Sequence, residues 1–249
     1  MRYPNAYNGI RKLFFIELAI TLILTAITIF PLLAALRVIP VNYAAKIPRW
    51  AIWVVFGLFA LLRLLALGRG SQDELNFKFA QKALVYAILL YLVNAFIVPH
   101  IVEFILEYSW KLSGYRNKSS LLAVAIPLCT EIAFIVMVVR NILFTLEGIS
   151  NLGQRVRRED VHAQGQRLKL YVIILACFPL LAFVLSEILP ARIIRSTWFS
   201  LGSMFVLFVG ILLIWILFLC YLKRGERMLR DAEPEDPWAP QPELADTPW

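Results

Sequence analysis

Apolar positions along the chain gather into six long runs, at about 13–36, 50–67, 83–106, 121–146, 168–189 and 197–222, with short polar breaks between them. A hydrocarbon layer about 30 Å thick takes about 20 helical residues to cross. Each run meets that length, the second only just. None alternates with the period of two that a strand would need, and open sheet edges cannot face lipid. The pattern predicts an all-α polytopic membrane protein of six transmembrane helices, arranged as three helical hairpins.

The breaks differ in charge. The amino terminus, the second and fourth loops and the stretch after the last run hold fifteen Lys and Arg; the other loops hold eight. Bases stay on the cytosolic side of a bilayer, so both termini are expected there. Arg2, Arg11 and Lys12 precede the first run, which is too long for the apolar core of a signal peptide and reads as an uncleaved span. Trp50, Trp53, Trp110 and Trp198 fall where the outer interface would favour indole.

With 60% hydrophobic residues and a mean hydropathy of +0.72, the chain exceeds the apolar share of about 45–50% in soluble domains. The net charge of +8 conceals a division. Residues 1–230, the transmembrane domain, carry every base; residues 231–249 carry six acids, five prolines and no base. This tail cannot bury enough surface to fold, and its Asp-Pro-Trp (236–238) and Thr-Pro-Trp (247–249) form a faint repeat. Bases beside apolar runs point to anionic lipid heads rather than nucleic acid. Arg155, Arg157 and Arg158, in the basic segment 151–169, are the candidate lipid-head contacts. That segment reads as a surface helix with a turn at Gly165 and a solvated His162.

The odd runs begin alike: RKLFFIEL from Arg11, QKALVYAI from Gln81 and LKLYVIIL from Leu168. The even runs finish near Gly68, Gly148 and Gly225, where glycine would suit the left-handed residue that closes a helix.

Polar groups inside the runs were placed by the helical rise of about 1.5 Å per residue. Asn94 and Glu131 both fall at mid-depth, and with Thr130 they form a candidate polar contact between helices. Glu17, Arg63 and Arg140 share the cytosolic third and form a candidate ion pair there. In LYLVNAFIVPHIVEFILEYSW (90–110), His100, Glu103 and Glu107 mark a helix emerging into water, bent at Pro99. Cys129, Cys177 and Cys220 are expected as small buried hydrophobes.

The chain has no GxGxxG, Walker, HExxH or GxSxG pattern, no CxxC and only two histidines. No catalytic residue, metal ligand or cofactor is therefore assigned, and an enzyme is not expected. GIRKLFFIEL, LNFKFAQKALVYAI, EGISNLGQ and GQRLKLYVI together resemble a family of six-span bacterial integral membrane proteins without an established activity. That resemblance, over about residues 8–225, implies a bacterial plasma-membrane location and no particular chemistry. The sequence favours a non-catalytic scaffold, accessory or regulatory membrane protein. The alternative is a small-solute permease or the membrane subunit of an ABC-type transporter. Either could form a homo-oligomer or join a separate membrane or ATPase subunit.

Overall fold

A computed structural model describes residues 2–35, 49–113, 116–188 and 197–232. Its elements are α1 (Pro4–Ala35), α2 (Arg49–Gly70), α3 (Leu75–Leu92), a π-helical turn (Val93–Ile97), α4 (Val98–Ser113), α5 (Arg116–Arg155), α6 (Glu159–Ile188) and α7 (Thr197–Asp231). No strand occurs among the described residues. The acidic tail from 233, the loops 36–48 and 189–196, and the side chains of Trp50, Trp53, Trp110 and Trp198 lie outside what is described.

Two described segments, Leu75–Glu107 and Ala123–Arg155, are long and apolar enough to cross a membrane. Only 11% of the apolar window in the first, and none in the second, is buried inside the protein. A core helix of a soluble domain would be mostly covered. These two expose their oil, as a helix facing lipid does.

The helices pack in a closed ring: α1 on α2, α2 on α3, α3 and α4 on α5, α5 on α6, α6 on α7, and α7 back on α1. The core sits at one end of this ring, where α1, α3 and α6 begin and α2, α5 and α7 finish. Ile10, Leu13, Leu67, Phe77, Leu146, Ile149, Leu168, Phe218, Tyr221 and Leu222 are all buried there. Pro4 opens α1 with its pre-set φ, and Asp73 from the α2–α3 turn accepts the Ala6 N–H at 2.7 Å. A carboxylate is well placed at those free amides.

The glycines play a different part from the one expected of them. Among the described residues no glycine takes a left-handed φ, and α2, α5 and α7 run on past Gly68, Gly148 and Gly225. Gly70, Gly148 and Gly225 are instead buried points of close approach. An added Cβ would stand 3.0 Å and 3.1 Å from the Phe77 ring at Gly70 and Gly148, and 2.9 Å from Ile149 at Gly225. The left-handed residue closing α5 is Arg157, φ 60°. Arg158 N–H bonds to Gly153 O and Arg157 N–H to Gln154 O, the two bonds of a Schellman ending. The chain therefore turns at 156–158, and Gly165 lies within continuous α6, against Tyr221 and Ser150.

Candidate functional site

At the closed end three rods that are not all ring neighbours meet on the axis. Gly225 of α7 faces Ile149 of α5 and Ile10 of α1, and all three are buried. Because α6 stands between α5 and α7 in the ring order, the approach of Ile149 to Gly225 crosses the inside of the ring, and these buried residues fill it at this end.

From that fixed point helix geometry gives the direction of other side chains. Eighteen residues make five full turns at 3.6 per turn, so Glu131 stands on the same face of α5 as Ile149, about 27 Å further along. Val124, Ile135, Val138, Ile142 and Thr145 fall within about 40° of that face, at about 100° per residue. Along this stripe exposure climbs steadily. Ile149 and Thr145 are 0% exposed, Ile142 and Val138 half-buried, Ile135 48% exposed, Glu131 exposed and Val124 66% exposed. α5 is thus packed at one end and exposed towards the other, and its opposite face is exposed there too, at Val136 (46%) and Cys129.

Glu17 stands seven residues beyond Ile10, just short of two turns, and so on the same face of α1. Arg63 of α2 reaches it with Nη1 2.7 Å from Oε1, the two side chains 10% and 0% exposed. The contact is a close ion pair rather than an aligned hydrogen bond. Glu17 Oε2 and Arg63 Nε and Nη2 are buried with no hydrogen-bond partner. The pair lies between the seal and the open stretch. Arg140 does not join it. Nine residues from Ile149 is two and a half turns, which puts Arg140 on the outward face, its guanidinium 5.4 Å from the centre of the Phe144 ring.

Asn94 and Thr130 are joined between the π-helical turn and α5, with Thr130 Oγ1 also 3.0 Å from Ile126 O and 2.9 Å from Pro127 O. The Thr130 hydroxyl donates to Asn94 Oδ1, and its single proton is shared with the two carbonyls of its own helix. Glu131 is directed away from this contact and makes no hydrogen bond or ion pair among the described residues. The irregularity expected at Pro99 is the π-helical turn just before it, where Val98 N–H bonds back five residues to Val93 O. The wider turn makes room for a proline ring that has no amide hydrogen to give the preceding turn.

Polar links tie the closed end together around its rim. Arg155 meets the buried Glu74 at 2.8 Å; Arg158 lies 3.8 Å from Asp160, which Arg224 of α7 holds at 2.6 Å. Arg157 is exposed. Lys169 pairs with Glu147. His162, expected to be solvated, instead sits 2.8 Å from Ser150 Oγ. No sequence signal pointed to that pairing, because Ser150 and His162 meet only once the turn at 156–158 folds α6 back on α5. Partial desolvation pushes the Asp160 carboxyl up, but the hydrogen bond and charge of Arg224, the Val161 N–H and Arg158 together hold it below its ordinary value.

Cys129, Cys177 and Cys220 are free and exposed, not buried. Cysteine is small and apolar enough to lie on a greasy outer face. Among the described residues no group of three or more His, Cys, Asp or Glu could hold a metal ion. Comparison with protein-family models, with curated proteins and with solved structures finds no match to this chain.

Proposed function

We propose that the chain is a non-catalytic integral membrane protein that crosses the bacterial plasma membrane six times as three hairpins, both termini cytosolic, and that it handles a small solute, as a permease or the membrane subunit of a transporter. The sealed, base-rich end is the cytosolic end. The observation that carries this reading is the exposure gradient on the axial stripe of α5, from Ile149 to Val124. A solute path needs an axis that admits water part of the way and is shut beyond. An intramembrane acid such as Glu131 belongs beside such a path rather than in lipid.

A static scaffold or accessory protein is favoured by a different observation, the interlocked core and ion-paired rim of the closed end. The two readings differ in what water reaches. In a chain with all three cysteines replaced by serine, single cysteines at 124, 131, 135, 142 and 149 are challenged in intact membranes with a membrane-impermeant methanethiosulfonate. The solute reading expects rapid labelling at 124 and 131, slower labelling at 135 and none at 149. Uniform protection of all five positions would favour the scaffold.

A further inference from the structure

We propose that Arg69, Lys78 and Lys82 form a binding site for an anionic phospholipid of the cytosolic leaflet, on the outer face of the seam between α2 and α3. The proposal rests on the membrane-crossing part of the reading above and holds whether the chain is a permease or a scaffold.

The two helices are in register at the closed end. A Cβ at Gly70 would stand 3.0 Å from the Phe77 ring, and one at Gly68 would stand 3.1 Å from Gln81 Nε2. Arg69 lies between those glycines, and Lys78 and Lys82 each follow one of their partners, so the three bases flank one seam. All three are exposed. On α2, Leu58, Leu62, Leu65 and Arg69 fall at i, i+4, i+7 and i+11, which keeps them on one face. On α3, Lys78, Lys82, Val85 and Leu89 repeat that spacing. The five apolar residues of these stripes are exposed as well. Each stripe is about 16 Å long at 1.5 Å per residue, and one leaflet of a 30 Å hydrocarbon core is about 15 Å deep. The bases thus stand at headgroup height while the apolar residues reach towards the midplane.

No acid answers these bases. Their side chains make no hydrogen bond or ion pair among the described residues. The two acids of the intervening turn are engaged elsewhere: Asp73 accepts from Asn5 Nδ2 and the Ala6 N–H, and Glu74 is paired with Arg155. Arg155 and Arg158, expected at lipid heads, are held by Glu74 and Asp160 instead. A phosphodiester offers one negative charge and oxygens that guanidinium and ammonium groups both bind. A soluble anion would use the bases and leave the two apolar stripes bare. A zwitterionic lipid would cover the stripes but bring its own cation to the bases. An anionic phospholipid satisfies both.

The test uses the full chain in nanodiscs holding phosphatidylglycerol or phosphatidylcholine with a diazirine in one acyl chain, the adducts being mapped by peptide mass spectrometry. Adducts of phosphatidylglycerol on residues 58–69 and 78–89 should exceed those of phosphatidylcholine at least about tenfold, as three bases acting together imply. The triple variant Arg69→Gln, Lys78→Gln, Lys82→Gln should bring the two lipids level. The variant Arg11→Gln, Lys12→Gln, which removes exposed bases of α1, should leave the preference intact, and excess inorganic phosphate should not abolish it. Equal labelling by the two lipids in wild type would overturn the proposal. So would equal loss of preference in the two variants, which would mark a general surface attraction, or displacement by phosphate, which would mark a soluble anion as the ligand. A chain that enters discs and labels both lipids alike sinks this inference alone. A chain that stays soluble without detergent and enters no disc sinks the membrane reading with it.

Discussion

Gly9 offers the sharpest test of the packing. It lies in the first turns of α1, buried against the end of α2. A Cβ built there would stand 2.8 Å from Ala66 O, 2.9 Å from Gly70 N and 3.2 Å from Gly70 Cα. All three are backbone atoms, so no side-chain rotation relieves the clash, and the two helices must part by about 0.5 Å to restore ordinary contact. Overpacking of that kind costs about 1–3 kcal/mol. Alanine returns about 1 kcal/mol in helix propensity, leaving a net loss of up to about 2 kcal/mol for Gly9→Ala. At about 2–4 °C per kcal/mol for a chain of this size, the apparent Tm in detergent should fall by up to about 8 °C. Gly57 of α2 is the matched control, because its Cβ would meet nothing within 4 Å; Gly57→Ala should hold or raise the Tm. The measurement is thermal unfolding of both variants in the same micelle, followed by circular dichroism. Equal Tm values for the two variants, or a more stable Gly9→Ala, would refute the close approach of α1 to α2.

Three further outcomes follow from other parts of the molecule. Removing Arg63 leaves Glu17 buried and uncompensated, so Arg63→Ala should lose about 3–5 kcal/mol; the double change Glu17→Leu, Arg63→Met should recover most of it, and chemical denaturation of the set would reveal any failure to do so. Arg157 holds a left-handed conformation at a cost of about 1 kcal/mol, so Arg157→Gly should stabilise the protein by up to about that amount in the same assay. A drop would mean that the arginine side chain makes a contact worth more than the strain. Because the Asp160 carboxyl is held below its ordinary value, the stability from its pairing with Arg224 is fully present above about pH 4, the unfolded value. It is lost as pH falls through the lowered folded value. The gap in Tm between wild type and Arg224→Ala should therefore close on acidification, and a gap that widens would reverse the assignment.

Depth was legible in the sequence, and azimuth was not. Hydropathy and a rise of 1.5 Å per residue placed Glu17 level with Arg63, and Asn94 level with Thr130, and these residues do meet. Arg140 was assigned the same level as Glu17, but it lies half a turn away on the outward face. Which face of α5 turns inward depends on neighbours that hydropathy does not identify. Glu131 differs from Thr130 by one residue, about 100° of rotation, which is enough to take it from the Asn94 contact to the axis. The glycines were misread for a related reason. A small residue that ends a helix and one that admits a ring look alike until the ring, here Phe77, is known to be opposite. Gly165 and His162 were likewise invisible as partners of Tyr221 and Ser150, because the turn that brings α6 back rests on an arginine in a position glycine usually fills. The exposed cysteines reverse a habit learned from water-soluble cores, where thiols are hidden.

Since α7 lies beside α1, with Lys223 Nζ 5.1 Å from the centre of the Phe14 ring, the ring has no seam between its first and last helices. Pro4 and Asp231 lie at the same end of neighbouring rods. A short peptide bridging them, together with a cut in the turn Ser71–Asp73, would yield a circularly permuted chain with the same neighbours throughout. The order in which the ribosome delivers the rods is thus a separate matter from the architecture they reach.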